Sequence, residues 1–128
     1  MMQGKVAFGG FDPLVPADSS LRSARSVLIV EAQDVLGLLS PAPHRQSIVL
    51  TQKRMLTRQM LETVLPDAIV GPLITSAWDI VDLAIVLEDL GFTGDLYALT
   101  RPLPRAELVV REVGAVCPRL TVHLLEMG

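Results

Sequence analysis

From Ser26 onward the chain alternates short aliphatic runs of strand length with longer segments of helical period, and this alternation constrains the fold more than any other feature. Repeated strand, crossover and strand along one chain build a parallel sheet with helices on its faces. Five runs qualify: Val27–Glu31, Ser47–Thr51, Ala68–Val70, Asp95–Leu99 and Leu120–Leu125. Most are continuous aliphatic stretches, as expected of strands covered on both sides. Residues 1–25 show neither period and mix Gly4, Gly9, Gly10, Pro13 and Pro16 with small polar residues. They read as an irregular arm preceding an α/β domain at residues 26–128.

The crossovers differ in character. Between the first two strands, Pro41 and Pro43 leave Ala32–Gln46 room for about two helical turns. Lys53–Val64 sets Met55, Leu56, Met60, Leu61 and Val64 against Arg54, Arg58 and Glu62, the pattern of an amphipathic helix. The third crossover opens with Ser76-Ala77-Trp78-Asp79, which resembles a capping box, and runs to Leu90 before Gly91. Its body is apolar beyond a single stripe, with chiefly Asp82, Glu88 and Asp89 polar, so Val81, Ile85 and Val86 are expected to meet something besides their own sheet. The last helix, about Pro104 to Cys117, is expected to turn Val109, Val113, Val116 and Cys117 inward and to stop at Pro118.

Half of the 128 residues are hydrophobic but only 4% are aromatic, and the mean hydropathy is +0.45. Such an aliphatic surplus needs a burial place. A net charge of −3 without a Lys/Arg run argues against binding a phosphate backbone, so no nucleic-acid partner is expected. The greasiest stretch, Ile69 to Leu90, is interrupted by Pro72, Asp79, Asp82, Glu88 and Asp89, so no membrane partner is expected either. The opening MMQGKVAFGG is too short an apolar run for a secretory signal, and the lone Cys117 allows no internal disulfide. A cytoplasmic location is the expectation.

Several pieces then stand in a telling order: Val27-Leu28-Ile29-Val30-Glu31, Pro66-Asp67-Ala68-Ile69-Val70, Gly91-Phe92-Thr93-Gly94, Ala98-Leu99-Thr100 and Gly114-Ala115. Over residues 26–125 the chain resembles the receiver domains of the bacterial two-component response regulators. The resemblance implies a flavodoxin-like five-stranded parallel sheet of order 2-1-3-4-5. It also implies an aspartate ending the third strand that accepts a phosphoryl group, an acidic pair after the first strand that holds Mg²⁺, and a lysine after the fifth. Here the acceptor position falls on Pro72, with Gly71 the near alternative, and the acidic pair is reduced to Glu31 beside Ala32. Leu124-Leu125-Glu126 offers no lysine, and Thr100 alone matches the switch threonine. Neither glycine nor proline has an oxygen nucleophile, and a single Glu seldom satisfies Mg²⁺. The expectation is a degenerate, or pseudo-, receiver with no cofactor, metal ligand or catalytic residue. Its function would be that of a phosphorylation-independent signalling or regulatory protein-interaction module rather than an enzyme.

Receivers also end in a fifth helix, and this sequence leaves no room for one after the fifth strand, so the fold is expected to be truncated. One sheet face would then expose more than the few hundred Å² a monomer usually shows. The expected cover is a second copy of the chain, the arm with Val6, Phe8, Phe11, Leu14 and Val15, or both. A homodimer mate and another signalling or regulatory protein are thus the expected partners. The alternative is a small-ligand-sensing domain using the carboxyl end of the sheet. There Glu31, Asp34, Gly71, Thr75 and Thr100 are expected to converge, with Arg101 and Arg105 at the mouth. Other constellations read as structural. His44 and His123 lack metal-ligand spacing, and Cys117 sits on an apolar stripe as a packing residue. Ser19, Ser20, Ser23 and Ser26 have no nucleophile-elbow context, and the paired glycines suit turns rather than phosphate loops.

Overall fold

The computed structural model describes residues 17–39, 46–102 and 104–127. Its strands are β1 (Ser26–Val30), β2 (Ser47–Thr51), β3 (Ala68–Pro72), β4 (Asp95–Thr100) and β5 (Thr121–Glu126). All neighbours pair in parallel, in the order β2-β1-β3-β4-β5. This is the flavodoxin-like α/β arrangement, and every strand overlaps its expected run. Period-two alternation sorts the side chains to two faces. Leu28, Val30, Ile69, Leu96, Ala98 and Val122 point to one core, and Val27, Ile29, Ala68, Val70, Tyr97 and Leu125 to the other.

The first core is roofed by α3 (Arg58–Val64), α4 (Ile80–Asp89) and α5 (Ala106–Val116). The expected helix at Lys53–Val64 is instead a 3₁₀ turn, Lys53–Met55, followed by α3. Thr57 divides them, because its hydroxyl accepts from Met60 N at 3.0 Å and caps α3. The cap of α4 is Asp79, not Ser76: its carboxylate accepts from Asp82 N at 3.1 Å, while that of Asp82 accepts from Asp79 N at 3.0 Å. α4 lies between α3 and α5, touching α5 directly and receiving the Arg58 guanidinium of α3 on its last carbonyls. Its flanks are therefore covered as well as its base, which accounts for most of its apolar excess. Val81 and Val86 are half-buried against their own core, and Ile85 stays exposed. Along α5 and its C-cap the buried stripe is Val110, Val113 and Cys117, an i, i+3, i+7 set that keeps the expected Val113 and Cys117 and adds Val110. Val109 is half-buried and Val116 is exposed.

The second core holds the main departure from expectation. Residues 17–22, read from the sequence as part of an irregular arm, form α1 (Ala17–Arg22). Beside it lie a 3₁₀ turn, Gln33–Val35, and α2 (Leu36–Leu39). Six residues make a poor helix in isolation, so tertiary contacts hold α1. Leu21 is fully buried with Val27, Val35, Leu39 and Tyr97, and Ser20 Oγ bonds Tyr97 Oη at 2.6 Å. Gln46 Nε2 donates to the carbonyls of Leu21, Arg22 and Ala24, at 3.1, 3.3 and 2.7 Å. The face expected to lack cover thus receives it from the amino-terminal side of β1. The expected covering residues Val6, Phe8, Phe11, Leu14 and Val15 lie outside the described residues, as do Pro41, Pro43 and His44.

Candidate functional site

The chain leaves β1 toward β2 on one side and then crosses to β3 on the other, so the sheet order reverses between β1 and β3. Loops diverge at such a switch point and leave a crevice at the carboxyl ends of the strands. A cleft of about 530 Å³ lies there. Glu31, Ala32, Gln33 and Asp34 form one wall, and Pro72, Ile74, Leu99, Thr100, Arg101 and Met127 the other. Glu31 has φ +54°, one of three non-glycine residues in the left-handed region among the described residues, with Leu65 and Arg105. Its amide donates to Thr51 O at 3.1 Å and its carboxylate accepts from Lys53 N at 2.9 Å, tying the end of β1 to the chain leaving β2. Strain of this kind persists only where surrounding bonds impose it.

The structure brings Glu31, Ala32, Pro72, Thr100 and Arg101 to this cleft, but not Gly71 or Thr75. A Cβ at Gly71 would collide with Leu83 Cδ2 and touch Ile80 Cδ1 at 3.5 Å, so this position faces α4. Of the two candidates for the acceptor position, Pro72 is the one that looks into the cleft. Thr75 is absorbed in its own turn: its hydroxyl donates to Trp78 O at 2.9 Å and accepts from Ala77 N and Trp78 N. Thr100 Oγ1 donates to Arg101 O at 2.8 Å, and Arg101 is exposed at the rim. Arg105 does not line the cleft. Among the described residues, no group of three or more His, Cys, Asp or Glu side chains could hold a metal. No helix among them is long and apolar enough to cross a membrane.

The chain matches no family model, no curated protein and no solved structure.

A polar chain escaped the sequence reading. His123 stacks on Tyr97 with ring centroids 4.6 Å apart, and its Nε2 lies 3.1 Å from Asp95 Oδ1. Tyr97 in turn bonds Ser20, so Asp95, His123, Tyr97 and Ser20 link β4, β5 and α1. Burial pushes the Tyr97 phenol above its usual range, more than the Ser20 hydrogen bond lowers it. The one signal in the sequence was the spacing of Asp95 and Tyr97 on one strand face; His123 joins them only through the pairing of Tyr97 with His123. Cys117 is a buried packing residue as expected, its thiol pushed up to about 11 by burial and then by the nearby Glu88 carboxylate. A second cleft, about 680 Å³, opens at the amino end of the sheet between Arg58, Leu61, Pro66, Asp67, Leu90 and Phe92. Two of its polar side chains are engaged in the fold. Arg58 holds the carbonyls of Asp89 and Leu90, and Asp67 Oδ2 accepts from the amides of Arg25 and Ser26.

Proposed function

We propose that this chain is a phosphorylation-independent signalling or regulatory protein-interaction module, built like a response-regulator receiver without its phosphoacceptor. The observation that carries the reading is the end of β3, where Pro72 faces the cleft and Leu83 fills the space beside Gly71. Phosphoryl transfer at such a site calls for a carboxylate there, a second acid beside Glu31 and a cation after β5 to neutralise the developing charge. Ala32, Pro72 and Met127 occupy those surroundings instead. In this reading the output is binding, to a second copy of the chain and to a signalling or regulatory protein. Ile85, exposed on α4 between Asp82 and Asp89, offers one apolar contact. The test is incubation with Mg²⁺ and a small acyl-phosphate donor, followed by intact-mass measurement. The mass is expected to stay unchanged, and an acid-stable, base-labile phosphoryl adduct on the chain would sink the proposal.

The cleft itself favours a second reading, a small-ligand-sensing α/β domain, because Glu31, Asp34, Thr100 and Arg101 meet around about 530 Å³ of open space. A thermal-shift screen with nucleotides and organic acids separates the two readings. A ligand at about 100 times its Kd adds about 2.7 kcal/mol to stability.

A further inference from the structure

β2 forms one edge of the five-stranded sheet. Among the described residues β2 is the outermost strand beside β1, and the hydrogen bonds at the two ends of that pair fix which way its backbone faces. Ser47 N donates to Arg25 O, and Thr51 O accepts from Glu31 N, so Ser47, Val49 and Thr51 turn their main-chain groups toward β1. Ile48 and Leu50 turn theirs outward. Their side chains share the face of Val27 and Ile29, their register partners, but are 38% and 49% exposed. Proteins guard such edges with charge, proline or a bulge. Across Gln46-Ser47-Ile48-Val49-Leu50-Thr51-Gln52 there is no charge and no proline.

This segment is also palindromic in chemistry about Val49: amide with amide, hydroxyl with hydroxyl, Ile with Leu. A two-fold interface demands such self-complementarity. We propose that β2 pairs antiparallel with β2 of a second copy, centred on Val49, joining two five-stranded sheets into one. Ile48 then lies opposite Leu50 of the other copy, and each such pair exchanges two main-chain hydrogen bonds using the groups that face outward. Val49 meets its own counterpart in the closer, non-hydrogen-bonded kind of pair. The four aliphatic side chains of Ile48 and Leu50 form one cluster on the shared face. The inference rests on the self-association in the proposed function and assigns that contact to β2 rather than α4.

Sedimentation velocity on the full chain tests it. A concentration-dependent dimer is expected. Leu50→Glu weakens it at least tenfold, and the double variant Ile48→Lys with Leu50→Glu restores it to within a few-fold through two cross-strand ion pairs. Val49→Cys is expected to give a disulfide-linked dimer on mild oxidation, with native Cys117 inert because it is buried. Hydrogen exchange at the amides of Ile48 and Leu50 is expected to slow as concentration rises. A dimer that tolerates Leu50→Glu but is lost in Ile85→Glu overturns the β2 assignment and leaves the proposed function standing. A monomer at every concentration overturns both the assignment and self-association. In that monomer, slow exchange at Ile48 and Leu50 identifies the chain's own remaining segments as the occupant, and fast exchange identifies an open edge.

Discussion

Gly71 and Pro72 are adjacent in the chain but belong to different environments, because neighbouring strand residues face opposite sides of the sheet. Gly71→Ala pushes a methyl group against Leu83, which is fully buried. It is expected to cost about 1–3 kcal/mol in urea unfolding, the range for overpacking a core. Gly71→Asp is expected to be far worse, since it buries a carboxylate against α4, whereas Pro72→Asp delivers its carboxylate to the cleft and leaves the core packed. Comparing the unfolding midpoints of the two aspartate variants checks this. Cys117 yields a second expectation at the same scale. With its thiol held to about 11 and its side chain buried, alkylation by iodoacetamide at pH 8 is expected only after denaturant opens the core.

Among the elements, α1 and α4 depend on different physics. α4 begins at a reciprocal cap, so Asp79→Ala is expected to cost about 1–2 kcal/mol, read from chemical denaturation. α1 has little intrinsic helicity and depends on its buried side: Leu21→Ala is expected to cost about 2–5 kcal/mol. These elements also mark where the sequence was readable. β1, β3, β4 and β5 overlapped their expected runs because strands buried on both faces appear as largely unbroken aliphatic runs, and β2 matched its run from Ser47 to Thr51 on its aliphatic Ile48-Val49-Leu50 alone, although this edge strand is partly exposed. α1 was hidden because Leu21 is the one large apolar residue in Ala17–Arg22, and no periodicity can be seen in one residue. The cap of α4 was misplaced because Ser76 and Asp79 are both good caps, and only the Thr75 turn decides between them. At the cleft, Glu31, Pro72, Thr100 and Arg101 could be placed from strand ends. Thr75 and Gly71 could not, since one is claimed by a turn and the other points the wrong way.

At the scale of the whole molecule, the aliphatic surplus is spent on two cores, one on each face of a single sheet. Two protonated groups tie their stability to pH. Burial holds the Cys117 proton to about 11 against an ordinary 9.0, and holds that of Tyr97 above its ordinary 10.0. The folded chain therefore binds more protons than the unfolded chain above pH 9, so their contribution is complete below pH 9 and drains away toward pH 11. Stability measured by denaturant titration is expected to fall across that interval, with a shallower fall in Cys117→Ala. The placement of α1 bears on how the chain reaches this state. α1 leaves the ribosome before any of these five strands, yet its seat includes Tyr97 on β4 and a flank of β5. Leu21 can meet Val35 and Leu39 early, but the earliest of the described helices completes its seat only when β4 and β5 have paired, so this face of the nascent sheet stays partly open to chaperones until then.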